Sequence, residues 1–348
     1  MNRWMVVPLT LAVVVVAWGD EQRAVGVWRL LQPPRFRTLQ GTVQVSVFAE
    51  RRGDRVWTME IWADEQRSRT QVTLPHPEGS RQIITITTTD AVWILLPFAK
   101  RAIRRTGITL PSWRDLWGFR SDKLDLAQRN YTLRILKRES VAGLPCLVLE
   151  LIPKFRGNPI RRLWVHPPTR LPLQLERYSP DGKLEIRVAF TDIKINQPLP
   201  LLIFDTSLPS DWQQVDAPVR RSPLPLANAE AVLGFPLLMP AWVPPGYVLD
   251  GAFVIQDRRW KVAHILYTDG ISVISVFEHP APSREQRFGP PKRRHGGEAP
   301  PPPAMRMFPQ QWLRREIGQL QVVLVAETTR EWLERMADSL QDRVATER

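Results

Sequence analysis

Residues 159–196, PIRRLWVHPPTRLPLQLERYSPDGKLEIRVAFTDIKIN, contain the pattern that decides the fold. Apolar and polar side chains alternate along 171–175 and again along 184–190, as they do in strands with one buried and one solvated face. Pro167-Pro168 cannot donate to a strand ladder, and Ser179-Pro180-Asp181-Gly182 favours a tight turn. The stretch therefore predicts three antiparallel strands joined by two turns.

The same pattern extends outward through most of the N-terminal half. Alternating segments begin at Thr42, and Gly53-Asp54 predicts a hairpin turn between the first two of them. A short helix is predicted from Asp122 to Asn130, inside an interval, 97–130, that otherwise has the composition of a loop. Residues 20–204 thus predict a mainly β domain, in which about ten strands form one strongly curved antiparallel sheet with a few covering helices.

Composition changes at the end of this domain. Residues 205–227 are rich in Pro and irregular in pattern, which predicts an interdomain linker. Residues 228–348 predict a smaller α+β domain, in which Asp269-Gly270 favours a hairpin. Its proline-rich stretch 280–307 predicts an inserted loop, which either is flexible without a partner or serves as a binding arm. Thr328-Thr329-Arg330-Glu331 has the pattern of a capping box that opens a last helix.

The N-terminus predicts the cellular compartment. Residues 1–19 have a basic residue, an apolar run and Ala17-Trp18-Gly19 as a small-x-small cleavage site, which together are typical of a secretory signal peptide. The apolar run is short for a membrane span, and an uncleaved N-terminal anchor is the alternative. We therefore expect a periplasmic or other extracytoplasmic location. Cys146 is the single cysteine, so no intramolecular disulfide can form.

The formal net charge of +13 makes nucleic-acid binding a class to test, because basic proteins attract phosphates. The arginine pairs, however, are spread along the whole chain, and no basic helix, zinc finger or RNA-binding aromatic motif accompanies them. The sequence therefore predicts no nucleic-acid partner. It favours instead attraction to an anionic membrane surface or to an acidic partner.

Motifs that would indicate catalysis are missing from the sequence. The five histidines have no neighbours at metal-ligand spacing, and the chain contains no HExxH, no GxSxG and no glycine-rich phosphate loop. Cys146 lies in an apolar segment, where a buried structural thiol is expected rather than a nucleophile. We predict a protein that is not an enzyme and that has no metal or cofactor.

Several short motifs occur in an order and spacing that are typical of one family. They are Asn130-Tyr131, Val141-Ala142-Gly143, Arg162-Leu163-Trp164-Val165, Asp181-Gly182-Lys183-Leu184 and Phe190-Thr191-Asp192-Ile193, together with the hairpin from Tyr267 to Phe277. They resemble the exported sigma-E regulatory proteins of the MucB/RseB type and, more loosely, the LolA/LolB lipoprotein carriers. The chain departs from the MucB/RseB pattern at Gly143-Leu144-Pro145 and in the 280–307 insertion.

This resemblance implies a half-open β-barrel with covering helices, whose concave apolar face forms a ligand cleft. It also implies a regulator that binds the extracytoplasmic segment of an anti-sigma factor and senses lipid or lipoprotein acyl chains. The candidate cleft residues are Val45, Val47, Trp57, Met59, Ile61, Leu173, Leu175, Ile186, Val188 and Phe190. The alternative for each of them is packing against the domain's own helices.

Two other functions stay open. A LolA-like carrier of lipoproteins or lipids would use the same cleft as a shuttle. An interaction module of the cell envelope would use the basic surface without any lipid. Trp93, Trp113 and Trp117 either rim the opening of the cleft or fill the core.

Overall fold

The computed structural model describes residues 26–48, 53–76, 79–106, 113–117, 121–217, 220–256, 261–281 and 310–342. The predicted signal peptide, residues 1–19, and nearly all of the predicted insertion, residues 280–307, lie outside the described residues. Within the described residues, no helix is long and apolar enough to span a membrane.

The large domain contributes the first eleven strands and helix α1 (Leu124–Asn130). Its strands are β1 (Thr38–Val47), β2 (Arg55–Asp64), β3 (Ser68–His76), β4 (Gly79–Thr87), β5 (Val92–Leu96), β6 (Arg101–Arg105), β7 (Tyr131–Val141), β8 (Leu144–Pro153), β9 (Ile160–His166), β10 (Leu171–Tyr178) and β11 (Leu184–Ile195). Short 3-10 helices lie at Arg29–Leu31, Pro97–Ala99, Trp113–Trp117 and Ser121–Lys123.

The predicted meander is confirmed as β9, β10 and β11, each antiparallel to the next. At the second turn Ser179 N donates to Lys183 O at 2.8 Å, and Gly182 takes a φ of 85°, which a residue without a side chain adopts freely. Alternate residues of β11, such as Ile186 and Val188, are buried as predicted. Local pattern and observed burial therefore agree along this stretch.

Strand β1 joins the two halves of the large sheet, because it pairs with β2 on one side and β11 on the other. Its pairing with β11 shifts register between Thr42 and Val43, where Thr191 of β11 is the extra residue, and a Cβ at Gly41 would overlap the carbonyl of Asp192 and the ring of Phe190. Glycine at a bulge permits this close approach and the curvature that comes with it. The predicted fold class, a mainly β half-open barrel, is confirmed.

The sheet has twelve strands in the order β12-β6-β5-β4-β3-β2-β1-β11-β10-β9-β8-β7. Two of these strands, β6 and β12 (Gln213–Asp216), were not predicted, because β6 falls in the interval 97–130 and β12 falls in the linker 205–227. Strand β12 pairs parallel to β6, whereas β13 (Arg220–Pro223) pairs with the sheet of the small domain. The expected irregular linker thus contributes one short strand to each domain.

The small domain contains a six-stranded sheet in the order β13-β15-β16-β17-β19-β18. Its further elements are α2 (Ala229–Leu233), β14 (Leu238–Pro240), β15 (Val248–Gln256), β16 (Lys261–Thr268), β17 (Val273–Pro280), β18 (Gln311–Ile317), β19 (Leu320–Ala326), α3 (Arg330–Asp338) and β20 (Leu340–Asp342). The hairpin predicted from Asp269-Gly270 is confirmed as β16 and β17. This domain is α+β, as the sequence predicted.

Helix α3 buries Leu333, Met336 and Ala337 in the core of the small domain, as its apolar stripe predicted. The predicted capping box is wrong, because Thr329 occupies the N-cap position without a side-chain capping hydrogen bond. The hydroxyl of Thr328 instead donates to Gly157 O in the large domain at 2.9 Å. The start of the helix is therefore fixed by the neighbouring domain rather than by its own cap.

Candidate functional site

The candidate cleft residues lie side by side on the large sheet. Val45 pairs with Trp57 across one edge of β1 and with Val188 across the other, and Val188 pairs with Leu175. Residues that pair directly in an antiparallel sheet share a face. These four side chains therefore form one row across four strands.

Two further rows flank the first. Val43 pairs with Met59 and with Phe190 on one side of it, and Val47 pairs with Ile186 on the other. The remaining two candidates are Ile61, which is opposite Gly41, and Leu173, which lies at the β10 bulge. The structure thus places the ten predicted residues on neighbouring strands of one sheet.

The apolar face is filled by the protein itself. Every one of the ten candidates except Trp57 is buried, and all of them belong to or pack against a single cluster. Five covering side chains of this cluster come from large-domain segments outside the sheet, Trp28, Leu31, Trp113, Trp117 and Ala127, and Tyr131 joins them from the first residue of β7. Trp117 stacks on Phe190 with 5.7 Å between ring centroids. A ligand cleft on this face stays a prediction, since an acyl chain would have to displace part of this cover.

The three tryptophans noted in the sequence divide between two sites. Trp113 and Trp117 are buried in the cover of the apolar face, whereas Trp93 packs on a separate cluster with Ile86 and Leu95. The indole nitrogens of Trp57 and Trp117 are buried, and neither has a hydrogen-bond acceptor among the described residues. An unpaired buried donor costs on the order of 1–3 kcal/mol. The apolar face therefore contains two donors that a carbonyl oxygen could satisfy.

A shallow cavity of about 520 Å³ lies beside this cover. Its lining includes the side chains of Arg35, Arg37 and Arg114 but only one carboxylate, that of Glu65. The Arg114 guanidinium lies over the ring of Phe36, with 5.7 Å from its carbon to the centroid. The arrangement combines positive charge with an aromatic surface and would attract an anionic group.

The turn between β16 and β17, residues 268–272, joins the small domain to the large one through hydrogen bonds. The Asp269 carboxylate accepts hydrogen bonds from Tyr131 Oη at 2.7 Å and from Asn158 Nδ2 at 2.6 Å. Its backbone carbonyl accepts a third from Asn130 Nδ2 at 2.8 Å. Burial raises the pKa of Asp269, although the Tyr131 hydroxyl, the backbone N–H groups of Ile271 and Ser272 and the charge of Arg161 act in the opposite direction. We call residues 268–272 the Asp269 turn.

The Asp269 turn also contacts the cover of the apolar face. The side chain of Ile271 is buried within the large domain's cluster rather than in its own domain. A Cβ at Gly270 would overlap the backbone of Ala127 in α1, and Gly270 has a φ of 99°. The same helix ends at Asn130, which bonds to the turn. Helix α1 therefore lies between the apolar face and the small domain.

A network of ion pairs next to the Asp269 turn also joins the two domains. Glu327, which follows β19, forms salt bridges with Arg161 of β9 and with Arg177 of β10, the latter at 2.5 Å. The Arg161 guanidinium also donates to Ser272 Oγ at 3.2 Å. Burial alone would raise the pKa of Glu327, but the guanidiniums of Arg177 and Arg161 hold it below its ordinary value. The buried charges of both domains thus neutralise one another.

Sequence reasoning did not find this domain contact. Asp269-Gly270 was interpreted only as a hairpin turn. A signal was nevertheless present, because Arg161 and Arg177 each lie two residues from a buried leucine, Leu163 and Leu175, and so on the same face of the strand. A charge at an inward position predicts a buried partner. Among the described residues, no group of three His, Cys, Asp or Glu side chains could hold a metal ion.

Comparison with known proteins agrees with this architecture. Residues 44–215 match the family model of the MucB/RseB N-terminal domain. Among solved structures, a crystal structure of MucB is 22% identical, with a TM-score of 0.54 over 91% of this chain and 98% of that one. The MucA/MucB complex of Pseudomonas aeruginosa is 18% identical, with a TM-score of 0.52 over 88% of this chain and 93% of that one.

A third structure, MucB in complex with MucA(peri), is 19% identical, with a TM-score of 0.51 over 88% of this chain and 93% of that one. No curated protein sequence matches the chain. The family model covers the large domain, and the likeness of fold extends through the small one. The large domain is therefore a MucB/RseB N-terminal domain, and the described chain as a whole has the fold of MucB.

Proposed function

We propose that this protein is an exported, non-enzymatic regulator that binds the extracytoplasmic segment of an anti-sigma factor and senses a lipid or lipoprotein ligand. Family membership supports a binding role, and the solved MucA complexes support a partner of the MucA kind. The observation that carries the sensing step is the Asp269 turn, which joins the small domain to the cover of the apolar face.

The proposed mechanism is a competition for the apolar face. An acyl chain that enters this face must displace covering side chains, of which Ala127 on α1 and Tyr131 on β7 are two. Ala127 contacts Gly270, and Tyr131 donates to Asp269, so displacement of these side chains also disturbs the contact between the Asp269 turn and the large domain. A partner segment that binds only one arrangement of the two domains would then respond to the ligand.

The chemistry of the face suits an acylated ligand. Its side chains are apolar, and the unpaired indole donors of Trp57 and Trp117 would pair with the carbonyl oxygen of an ester or amide. The cavity lined by Arg35, Arg37 and Arg114 would attract an anionic head group. The same positive charge supports attraction to an anionic membrane surface.

The test measures two ligands on one protein. Native mass spectrometry of the full chain with phosphatidylglycerol, and separately with a diacylated lipopeptide, should detect a bound complex. Fluorescence anisotropy should then show that the periplasmic segment of MucA binds the free chain and that the lipid weakens this binding. Because coupling between two ligands is reciprocal, the segment must weaken lipid binding by the same factor.

Matched core variants separate the apolar face from general stability. Ile186 and Val276 are both buried, the first on the apolar face and the second in the small-domain core. Ile186→Ser should abolish lipid binding, whereas Val276→Ser should preserve it in the folded protein, as checked by circular dichroism. Lipid binding that survives Ile186→Ser refutes sensing through this face, and failure to bind the MucA segment refutes the regulator itself.

A carrier of lipoproteins or lipids is the second candidate, and the apolar face of the curved sheet is the observation that favours it. A carrier must release its cargo to an acceptor. Transfer of a fluorescent lipid from the loaded chain to acceptor vesicles, at a rate that the MucA segment does not change, would favour the carrier over the regulator.

A further inference from the structure

Strand β7 is an unusual edge of the large sheet. It is eleven residues long and lies at one end of the strand order, where it pairs only with β8 among the described strands. Residues 134–138 are all exposed, so both faces of the strand meet solvent there. The exposed fractions of Ile135 and Leu136 are 47% and 41%.

The backbone of β7 is available for a further partner. In an antiparallel pair, every second residue directs its N–H and C=O groups away from the neighbour. No described strand receives these outward groups of β7. The other end strands of the two sheets, β12, β13 and β18, have four, four and seven residues. Strand β7 is therefore the longest open edge in the described part of the chain.

The charge of this edge selects the kind of partner. Arg134 and Arg138 are exposed and have no ion-pair partner among the described residues, whereas Lys137 pairs with Glu139 at 2.5 Å. Cations and a bulge, here between Ile135 and Lys137, are features that block pairing with a second copy of the same edge. Like charges that face each other across two strands are destabilising, and opposite charges are stabilising.

We propose that β7 binds an extended acidic segment of a partner protein, which adds to the large sheet as a thirteenth strand. The backbone groups of the edge supply the hydrogen bonds, Arg134 and Arg138 attract the acidic side chains, and Ile135 and Leu136 contact the apolar ones. This site needs neither the apolar face nor the small domain. The inference therefore goes beyond the proposed function and does not depend on it.

The test uses the full chain and a nine-residue peptide, Thr-Glu-Val-Glu-Val-Glu-Val-Glu-Thr, capped at both ends. Isothermal titration calorimetry should detect binding, and hydrogen exchange should show new protection of amides in residues 131–141. Two isomers of the peptide each carry N-methyl groups on alternate residues, in one isomer on the valines and in the other on all glutamates but the last. Because only alternate N–H groups face the edge, one isomer should lose binding and the other should retain it.

Charge-reversal variants provide the matched control. Arg134→Glu/Arg138→Glu should weaken peptide binding about tenfold, whereas Arg55→Glu/Lys194→Glu, which makes the same change at exposed positions elsewhere, should alter it less than about twofold. If the two N-methyl isomers bind equally, charge attraction alone explains peptide binding, and the proposal is overturned. Unchanged peptide affinity in Arg134→Glu/Arg138→Glu would also overturn the proposal. So would a dimer of the wild type, seen by analytical ultracentrifugation, that this variant disrupts and the control variant does not, because a second copy of the chain would then occupy the edge.

Discussion

Replacement of Glu327 by glutamine removes the carboxylate that two buried arginines share. The side chains of Arg161 and Arg177 are only 2% and 3% exposed, so neither can be rehydrated without a movement of the domains. Arg177 keeps a salt bridge to Glu185 at 3.1 Å, but among the described residues Arg161 keeps only a hydrogen bond to the hydroxyl of Ser272 and the more distant charge of Asp269. Removing one partner of a buried pair costs about 3–5 kcal/mol, because it leaves a charge uncompensated.

We therefore expect Glu327→Gln to lower the free energy of unfolding by about 3–5 kcal/mol in urea titrations at pH 7. Glu334→Gln is the matched control, because it breaks an exposed pair with Arg330 and should change the free energy of unfolding by less than about 0.5 kcal/mol. The double variant Arg161→Met/Glu327→Gln should recover part of the loss, because the uncompensated guanidinium is gone.

The pH dependence follows from the lowered pKa of Glu327. A carboxyl whose folded pKa lies below its unfolded value of 4.5 stabilises the protein above that value, and the contribution is lost as the pH falls toward the folded pKa. Acid should therefore destabilise the wild type more steeply below pH 4.5 than it destabilises Glu327→Gln. If the two proteins instead have the same stability at pH 7, the buried network does not hold the domains together.

Three further predictions concern single buried groups. Burial raises the pKa of Glu278 from 4.5 to about 8, so its stabilisation of the fold is present below pH 4.5 and lost as the pH rises through 8. Glu278→Gln should then be more stable than the wild type at pH 9, by up to about 5 kcal/mol, and equal curves from pH 5 to 9 would contradict this. Gly270→Ala, which overlaps the backbone of Ala127, should speed proteolysis between the domains, whereas Gly318→Ala, also at positive φ but in open space, should not. Burial raises the pKa of the Cys146 thiol to about 11, so iodoacetamide should label it only as fast as the protein opens; rapid labelling of the native chain would exclude a buried thiol.

Local patterns predicted those parts of the fold that local forces determine. The meander 159–196, the small-domain hairpin at Asp269-Gly270 and helix α3 all have a strict period, and the structure confirms them. Strand β6 has no such period, and its place depends on β5 and on the parallel strand β12, which lies about a hundred residues away. Because this pairing joins residues far apart in the chain, the pattern of a short sequence segment does not reveal it.

For the candidate site, too, the sequence pattern predicted the strands but not the contacts that depend on distant residues. Alternation correctly placed Val45, Val188 and their neighbours on one surface. It could not determine what covers that surface, because Trp113 and Ala127 reach it through the three-dimensional course of the chain. The contact between domains was missed because Asp269 binds residues more than a hundred positions away. Only the inward placement of Arg161 and Arg177 indicated that such a partner existed.

The pairing of β12 with β6 limits how far the two domains can part. Strand β12 ends at Asp216 in the large sheet, and β13 begins at Arg220 in the small one. Four peptide steps span at most roughly 14 Å, so the domains can pivot about this short tether but cannot diffuse apart while both strands stay paired. A tether of this length keeps the Asp269 turn at an effective concentration on the order of millimolar or above relative to its binding residues in the large domain. Reclosure after ligand release would then be a fast intramolecular step, independent of the concentration of the protein.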